Sequence, residues 1–435
     1  MKNSVKIIFS VLLMKFMLSI AMVGAINAAD KSVTFWMQAY GDRAEQIEAM
    51  DIIANKFEKE TSIALNYEII DWSNAMSKYS LAMKGGEAPD VAEWFFLTTF
   101  AEMGGDEYGP MQINDVAAEV GARNLYYVAA QHECKIGNDY YALPWRMDVR
   151  IMAYRKDMFE ASGITNIPTT WSELVDTAKK LTKKSTNGKI KVSGAAYYIT
   201  RGDFFQSAMA TMAQNDTSVI DIGGTKSMIN ERSAVESLKF MQDLVLKYEV
   251  MSPSHASATV DTMQEFLAGR IAILLGANPD AIKMQQASAP QLDGKVIGAR
   301  LPSKAGGNQT SSIMYAAPVS IMKTTKDVAS AKTFLRFFMN DENQLLISKA
   351  TGLINANKRV MKDNYFKAQW YQALADQANF AKNGDIPVTF WGKISAFPQG
   401  PVANAVNKIL AGADVQSEAN MADQQIEQII SDHAK

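Results

Sequence analysis

At 435 residues the chain exceeds what one ordinary core can hold, so its length calls for two lobes or more. A formal charge of −2 gives a polyanion nothing to grip, which argues against a nucleic-acid binder. Cys134 is the only cysteine, so there is no intramolecular disulfide and no cysteine-rich metal cage, and stability must come from packing.

The first residues read as a secretory leader. Lys2 and Lys6 precede an apolar run from Ile7 to Met14, Lys15 interrupts it, Phe16 to Ile26 resumes it, and Ala28-Ala29 leads into polar Asp30-Lys31. A signal peptide over residues 1–29 is expected, and its removal would make the chain about three units more acidic. An uncleaved anchor or a buried N-terminal helix are the alternatives. No later stretch approaches the ~20 apolar residues that span a bilayer, so the expectation is a soluble, exported, periplasmic protein.

Strand and helix signals then alternate. "SVTFWM" (Ser32 to Met37) reads as a strand, and Ile47, Met50, Ile53, Ala54 and Phe57 recur at helical spacing. "IALNYEII" returns to period two, a helix from about Ser73 stops at Gly85-Gly86, and "DVAEWFF" follows as a short strand. Thr170 and Glu173 form a capping box ahead of the stripe Trp171, Leu174, Val175, Ala178 and Leu181, which makes Trp171 a core residue. "RIAILLG" (Arg270 to Gly276) has the nearly all-apolar run of a central parallel strand. Residues 328–350 read as helical, and the tail carries two stripes, Val402, Val406, Ile409, Leu410 and Ile426, Ile429, Ile430. The β-α-β-α order predicts mainly parallel sheets covered by helices.

One segment departs from its own pattern. "YALPWRMDVRIMAYRKDMF" (Tyr141 to Phe159) is built like a buried strand yet holds Trp145, Asp148 and Arg150. Alternation places Asp148 and Arg150 on one face, about 7 Å apart, with Val149 on the other. Buried ions must pair with each other, with neighbours or with a polar ligand. A carboxylate and a forked guanidinium suit adjacent hydroxyls, and an indole covers the apolar face of a sugar ring. On residue types alone, a structural salt bridge at a strand end beside a core Trp explains the segment somewhat better than a sugar site does.

From about Ser32 onward the chain resembles the solute-binding proteins of ATP-driven bacterial importers, in their larger, mostly sugar-binding, maltose-binding-protein-like branch. The matching stretches run in order: "VTFW", "FEKETSIALNYE", "MKGGEAPDV", "YALPWRMDVRIMAYRKDMFEASG", "IPTTWSEL", "FLAGRIAILLG", "AKTFLRFFMNDENQ", "ATGLINANKRV" and "ILAGADVQSEANMADQQIEQI". The resemblance implies a two-lobed α/β fold of the type II periplasmic-binding-protein kind, each lobe a mainly parallel sheet flanked by helices, with a ligand cleft between. It implies lobe 1 from 30–147 plus 268–340 and lobe 2 from 148–267 plus 341–435, with crossings near Met147, Leu267 and Asn340. The charged face of the Asp148 strand would then be exposed to the cleft, where the loops after Met37, Trp94 and Gly276 also point.

The same resemblance nominates the ligand contacts. Gln38, Tyr40, Asp42 and Arg43 follow the first strand, where a plain surface loop is the alternative; Trp72 and Trp94 fit cleft wall or core packing equally; Trp145 and Trp391 offer ring faces; Asp148 and Arg150 supply charge. Asn278, in "GANPDA", stands where many relatives carry a Trp, and Ser311, Ser312 and Tyr315 replace a glycine-rich patch. Asp203, Phe204 and Phe205 read as helix cap and core. The implied role is capture of a sugar or polyol by a monomer and delivery to membrane permease subunits, without catalysis, cofactor or metal. Two other classes compete: an exported glycosidase or lyase built on paired carboxylates, and a ferric-binding relative using its tyrosine pairs. A sugar sensor serving a receptor is a third possibility.

Overall fold

In the computed structural model, which describes residues 31–433 apart from 95–96, 200–203, 258, 287–288, 307–311, 385, 387, 389 and 397–399, the chain forms two principal β-sheets and first crosses from one to the other through an extended segment. The expected leader, Asp203 and Ser311 lie outside the described residues. The first sheet begins with β1 (Ser32–Gln38), β2 (Ala64–Ile70) and β3 (Val91–Glu93), linked by α1 (Arg43–Thr61) and α2 (Trp72–Lys84). β1 pairs in parallel with both other strands. Next, β4 (Leu143–Val149) joins this sheet, and after a single residue β5 (Ile151–Arg155) enters the other.

The second sheet is served by α3 (Trp171–Leu181), β6 (Ala196–Tyr197), α4 (Phe205–Ala213), α5 (Arg232–Leu246), β7 (Ile273–Ala277), α6 (Pro279–Gln286) and β8 (Val296–Ala299). Its strand order is β6-β7-β5-β8. The chain then returns through β9 (Ser312–Ile321), antiparallel to both β3 and β4, and covers the first sheet with α7 (Val328–Phe338) and α8 (Asp341–Thr351). Finally α9 (Gln369–Ala378) lies on β8, β10 (Ala381–Asn383) pairs with β9, and α10 (Trp391–Ile394), α11 (Pro401–Leu410) and α12 (Val415–His433) complete the second unit.

Sequence periodicity accounts for most of this packing. Val33, Phe35 and Met37 alternate inward along β1, and Phe35 meets Phe334 and Phe338 of α7 at 5.1 Å each. Phe57 of α1 closes the group at 5.4 Å from Phe334. Burying each ring is worth about 2–3 kcal/mol, so this cluster fixes α1 and α7 on the sheet. Around α3 the predicted capping box is present, and Trp171 stacks flat on Phe240 at 4.1 Å, a core residue as expected. Phe204 and Phe205 are buried as well.

Three expectations are corrected. β7 and β8 pair with β5, so residues 273–299 belong to the second unit, and the crossing placed near Leu267 falls instead between Ala299 and Ser312. α8 packs on α1, and α9 on β8, so the crossing near Asn340 moves beyond residue 351; Asn340 is the N-cap of α8 and splits the helical stretch in two. The second sheet has one parallel pairing, β6 with β7, and two antiparallel ones. The physical reason is the crossing strand itself, which runs against β9 in one sheet and against β7 and β8 in the other, a direction that no local periodicity records.

Candidate functional site

The one residue between β4 and β5 is Arg150. Its backbone N–H donates to Ile313 O at 3.0 Å, and the Ser312 hydroxyl donates to its carbonyl, so β9 clamps the crossing at this point. Alternation puts Arg146, Asp148 and Arg150 on a common face. Arg150 Nη1 lies 3.4 Å from Asp148 Oδ1, and each residue is only 1 % exposed. The pair is therefore enclosed by both units, where exposure to an open groove was expected.

Each end of the pair is held from the second unit. Asn278 Nδ2 donates to Asp148 Oδ2 at 3.2 Å while its Oδ1 accepts from the backbone N–H groups of Asp280 and Ala281, capping α6. Arg150 Nη2 donates to Gln206 Oε1 in the first turn of α4, and the guanidinium stands 5.6 Å from the ring centre of Tyr315, the residue opposite Asp148 on β9. Asp148 Oδ1, Arg150 Nε and Arg150 Nη1 have no hydrogen-bond partner among the described residues. Buried charged atoms left this way cost free energy that a ligand's hydroxyls would recover.

A second group lies beside the first. The register of β4 on β9 slips between Ala317 and Pro318, so Trp145 is an extra residue and the strand bulges there. The bulge lets consecutive side chains reach one neighbour: Trp145 meets Tyr40 edge-on at 5.6 Å, and the Arg146 guanidinium sits 4.3 Å above the Tyr40 ring. Arg146 Nη2 donates to Tyr40 Oη at 3.2 Å, which donates to Glu93 Oε1 at 2.7 Å, and Gln38 N–H donates to Glu93 Oε2 at 2.9 Å. Arg146 Nη1 also reaches Asp280 Oδ2 at 3.4 Å. Burial pushes the Glu93 carboxyl up from its ordinary range, with Arg146 and the bonds from Gln38 and Tyr40 pulling it back. Burial would pull Arg146 down, but Tyr40, Asp280, Asp148 and Glu93 together raise it, so it is a fixed cation.

The remaining predicted residues divide. Trp72 donates from Nε1 to Ala39 O and stands 5.5 Å from Tyr40, extending the aromatic wall. Trp94 is 6.4 Å from Trp72 but turns toward Tyr79 at 5.0 Å and is buried. Gln38 is fully buried under Glu93, a supporting position. Asp42 is exposed and caps α1, accepting from Ala44 and Glu45, and Arg43 is tied to Asp71, so neither joins the cluster. Trp391 is buried and packs 6.0 Å from Phe205, next to Gln206 in α4. Glu93, Arg146, Gln206 and Asp280 were missed; Arg146 alone carried a signal, its even spacing from Asp148.

One arrangement elsewhere imitates hydrolase chemistry. Ser193 Oγ lies 2.8 Å from His255 Nδ1, and His255 Nε2 is 3.3 Å from Glu265. Ser193 is fully buried and accepts from Ser252 N–H, so no substrate carbonyl can reach it. Among the described residues no three His, Cys, Asp or Glu side chains gather to hold a metal ion.

The model of the bacterial extracellular solute-binding protein family matches residues 40–345, well over half of the chain. The chain belongs to that family. Membership makes it a solute-binding protein of the importer type, and the glycosidase or lyase alternative is set aside. The diacetylchitobiose binding protein DasA of Streptomyces coelicolor is 21% identical over 395 residues, covering 89% of this chain and 87% of DasA. Among solved structures, the sugar-binding protein MalE from Xanthomonas citri has a TM-score of 0.77 at 18% identity, covering 93% of this chain and 98% of that one. A solute-binding protein from Thermotoga lettingae, bound with alpha-D-tagatose, has a TM-score of 0.71 at 20% identity, covering 92% and 100%. At such identities the structural matches establish the fold, that of the two-lobed type II binding proteins.

Proposed function

We propose that this chain is the exported, monomeric, sugar-binding component of an ATP-driven importer, taking a sugar or polyol at the junction of its two units and delivering it to a permease in the membrane. The observation that carries this reading is the Asp148–Arg150 pair at the one-residue crossing. It is sealed from solvent, yet Asp148 Oδ1 and Arg150 Nη1, which face each other as an ion pair at 3.4 Å, and Arg150 Nε make no hydrogen bond among the described residues. Adjacent hydroxyls that donate to the first and accept from the second complete the set. Tyr40, Trp72 and Trp145 supply the neighbouring aromatic surface. The carbohydrate names of DasA and of the tagatose complex point the same way.

Because the pair is enclosed, a ligand enters when the two units part. It then shifts the population toward the closed arrangement by the difference in its affinities for the two. The closed form is the one delivered to the permease. ATP is consumed by that partner, and this chain makes and breaks no bond.

A thermal-shift screen of the purified protein against carbohydrates tests the reading. A true ligand at 100 times its dissociation constant adds about 2.7 kcal/mol to stability. Stabilisation by amino acids or peptides, with every carbohydrate inert, would reject it.

A further inference from the structure

We infer that Arg146 and Asp280 form a clasp across the two units, one that sets how far the protein is closed before any ligand arrives and so scales affinity without choosing the ligand. Arg146 stands on β4 in the first sheet, and Asp280 in the first turn of α6, which follows β7 of the second. They meet at 3.4 Å with their side chains 2 % and 15 % exposed. Arg146 is held over the Tyr40 ring and bonded to its hydroxyl, with Glu93 behind, and the backbone of Asp280 is fixed where its N–H donates to Asn278 Oδ1 at the cap of α6.

The contrast with Asp148 and Arg150 makes the assignment. Those two lie two positions apart at the crossing itself, so they stay neighbours whether the units are together or apart. Arg146 and Asp280 are 134 positions apart on different units, and parting the units separates them. When that happens Arg146 keeps Tyr40 and Asp280 gains water, so opening leaves neither charge stranded and the contact biases the equilibrium without locking it. A ligand's apparent affinity is reduced by whatever fraction of the protein is not binding-competent, so loosening the clasp weakens all ligands by one factor. This second consequence rests on the reading that the ligand binds at the junction; the first does not.

Small-angle scattering of the full exported chain without ligand, compared with Asp280→Ala and Asp280→Glu, is the direct test. The alanine variant is expected to show a larger radius of gyration and the glutamate variant to restore the parent value; Asp280→Asn serves if alanine fails to fold. With two or more chemically different sugars that bind, Asp280→Ala is expected to raise each Kd by the same factor, about tenfold if the closed fraction falls tenfold. Unchanged scattering would overturn the clasp. So would a factor that differs between sugars, because Asp280 would then be touching the ligand. If scattering responds while no sugar binds, the clasp stands and the sugar reading falls.

Discussion

Neither Asp148 nor Arg150 could be buried at 1 % exposure without the other. Removing one strands the partner's charge and, on the proposed reading, also deletes a ligand contact. Asp148→Ala and Arg150→Ala are therefore each expected to weaken sugar binding by on the order of 2 to 5 kcal/mol, measured by titration calorimetry. Full affinity in both variants would show that the pair is structural only. This pair was legible in the sequence because a period-two strand states which side chains share a face. Arg146 sits on that same face, but its importance was not legible. Only the bulge at Trp145 and the arrival of Tyr40 and Asp280 from distant segments turn it into a junction residue. Glu93, Gln206 and Asp280 had no local signal at all, since a lone polar residue at a strand or helix end looks the same whether it caps, supports or binds. Asp42 illustrates the converse, an attractive polar residue after the first strand that is spent on its own helix.

At the scale of elements, that capping role gives a separable prediction. Asp42→Ala removes the acceptor for two backbone N–H groups of α1 and is expected to cost about 1 kcal/mol of stability in urea unfolding, with sugar affinity unaltered. A matching loss of affinity would return Asp42 to the binding site. The loop around His255 makes a second prediction. His255 is wedged between Ser193 and Glu265, with Arg270 beyond, and burial holds its imidazole below the usual histidine range despite Glu265. A base depressed in the folded state contributes stability above its unfolded pKa near 6.5 that is lost as pH falls through the folded value. Glu265, held low chiefly by its bond from Arg270, loses its own contribution on further acidification, so both act in one direction. Stability is expected to decline between pH 7.5 and 5 less steeply in His255→Asn, which keeps an acceptor for Ser193, than in the parent; equal slopes would remove His255 as the cause. Helices of this kind were legible through their caps, as at Thr170 and Glu173, whereas strand pairing was not. Whether β7 meets a parallel or antiparallel neighbour depends on where the chain crosses.

At the scale of the molecule, the two units have separate sheets but not separate interiors. Phe35 and Val149 of the first belong to the same uninterrupted buried cluster as Ile151, Leu274 and Phe266 of the second. The crossing strands β4 and β5 are buried throughout, so neither unit can unfold without exposing core that the other relies on. The sequence supplied two α/β units in one chain. It misplaced the later crossings because helices such as α8 and α9 have apolar stripes that fit either sheet, and only their partners decide. A continuous interior predicts cooperative loss of structure, in contrast to linked domains that melt one after the other. Scanning calorimetry of the unliganded protein is expected to give one transition with equal calorimetric and van't Hoff enthalpies, and a bound sugar to raise that single midpoint without splitting it. Two resolved transitions would mean that the junction around Arg150 opens well below unfolding, and that the clasp at Arg146 and Asp280 contributes too little to hold the units together.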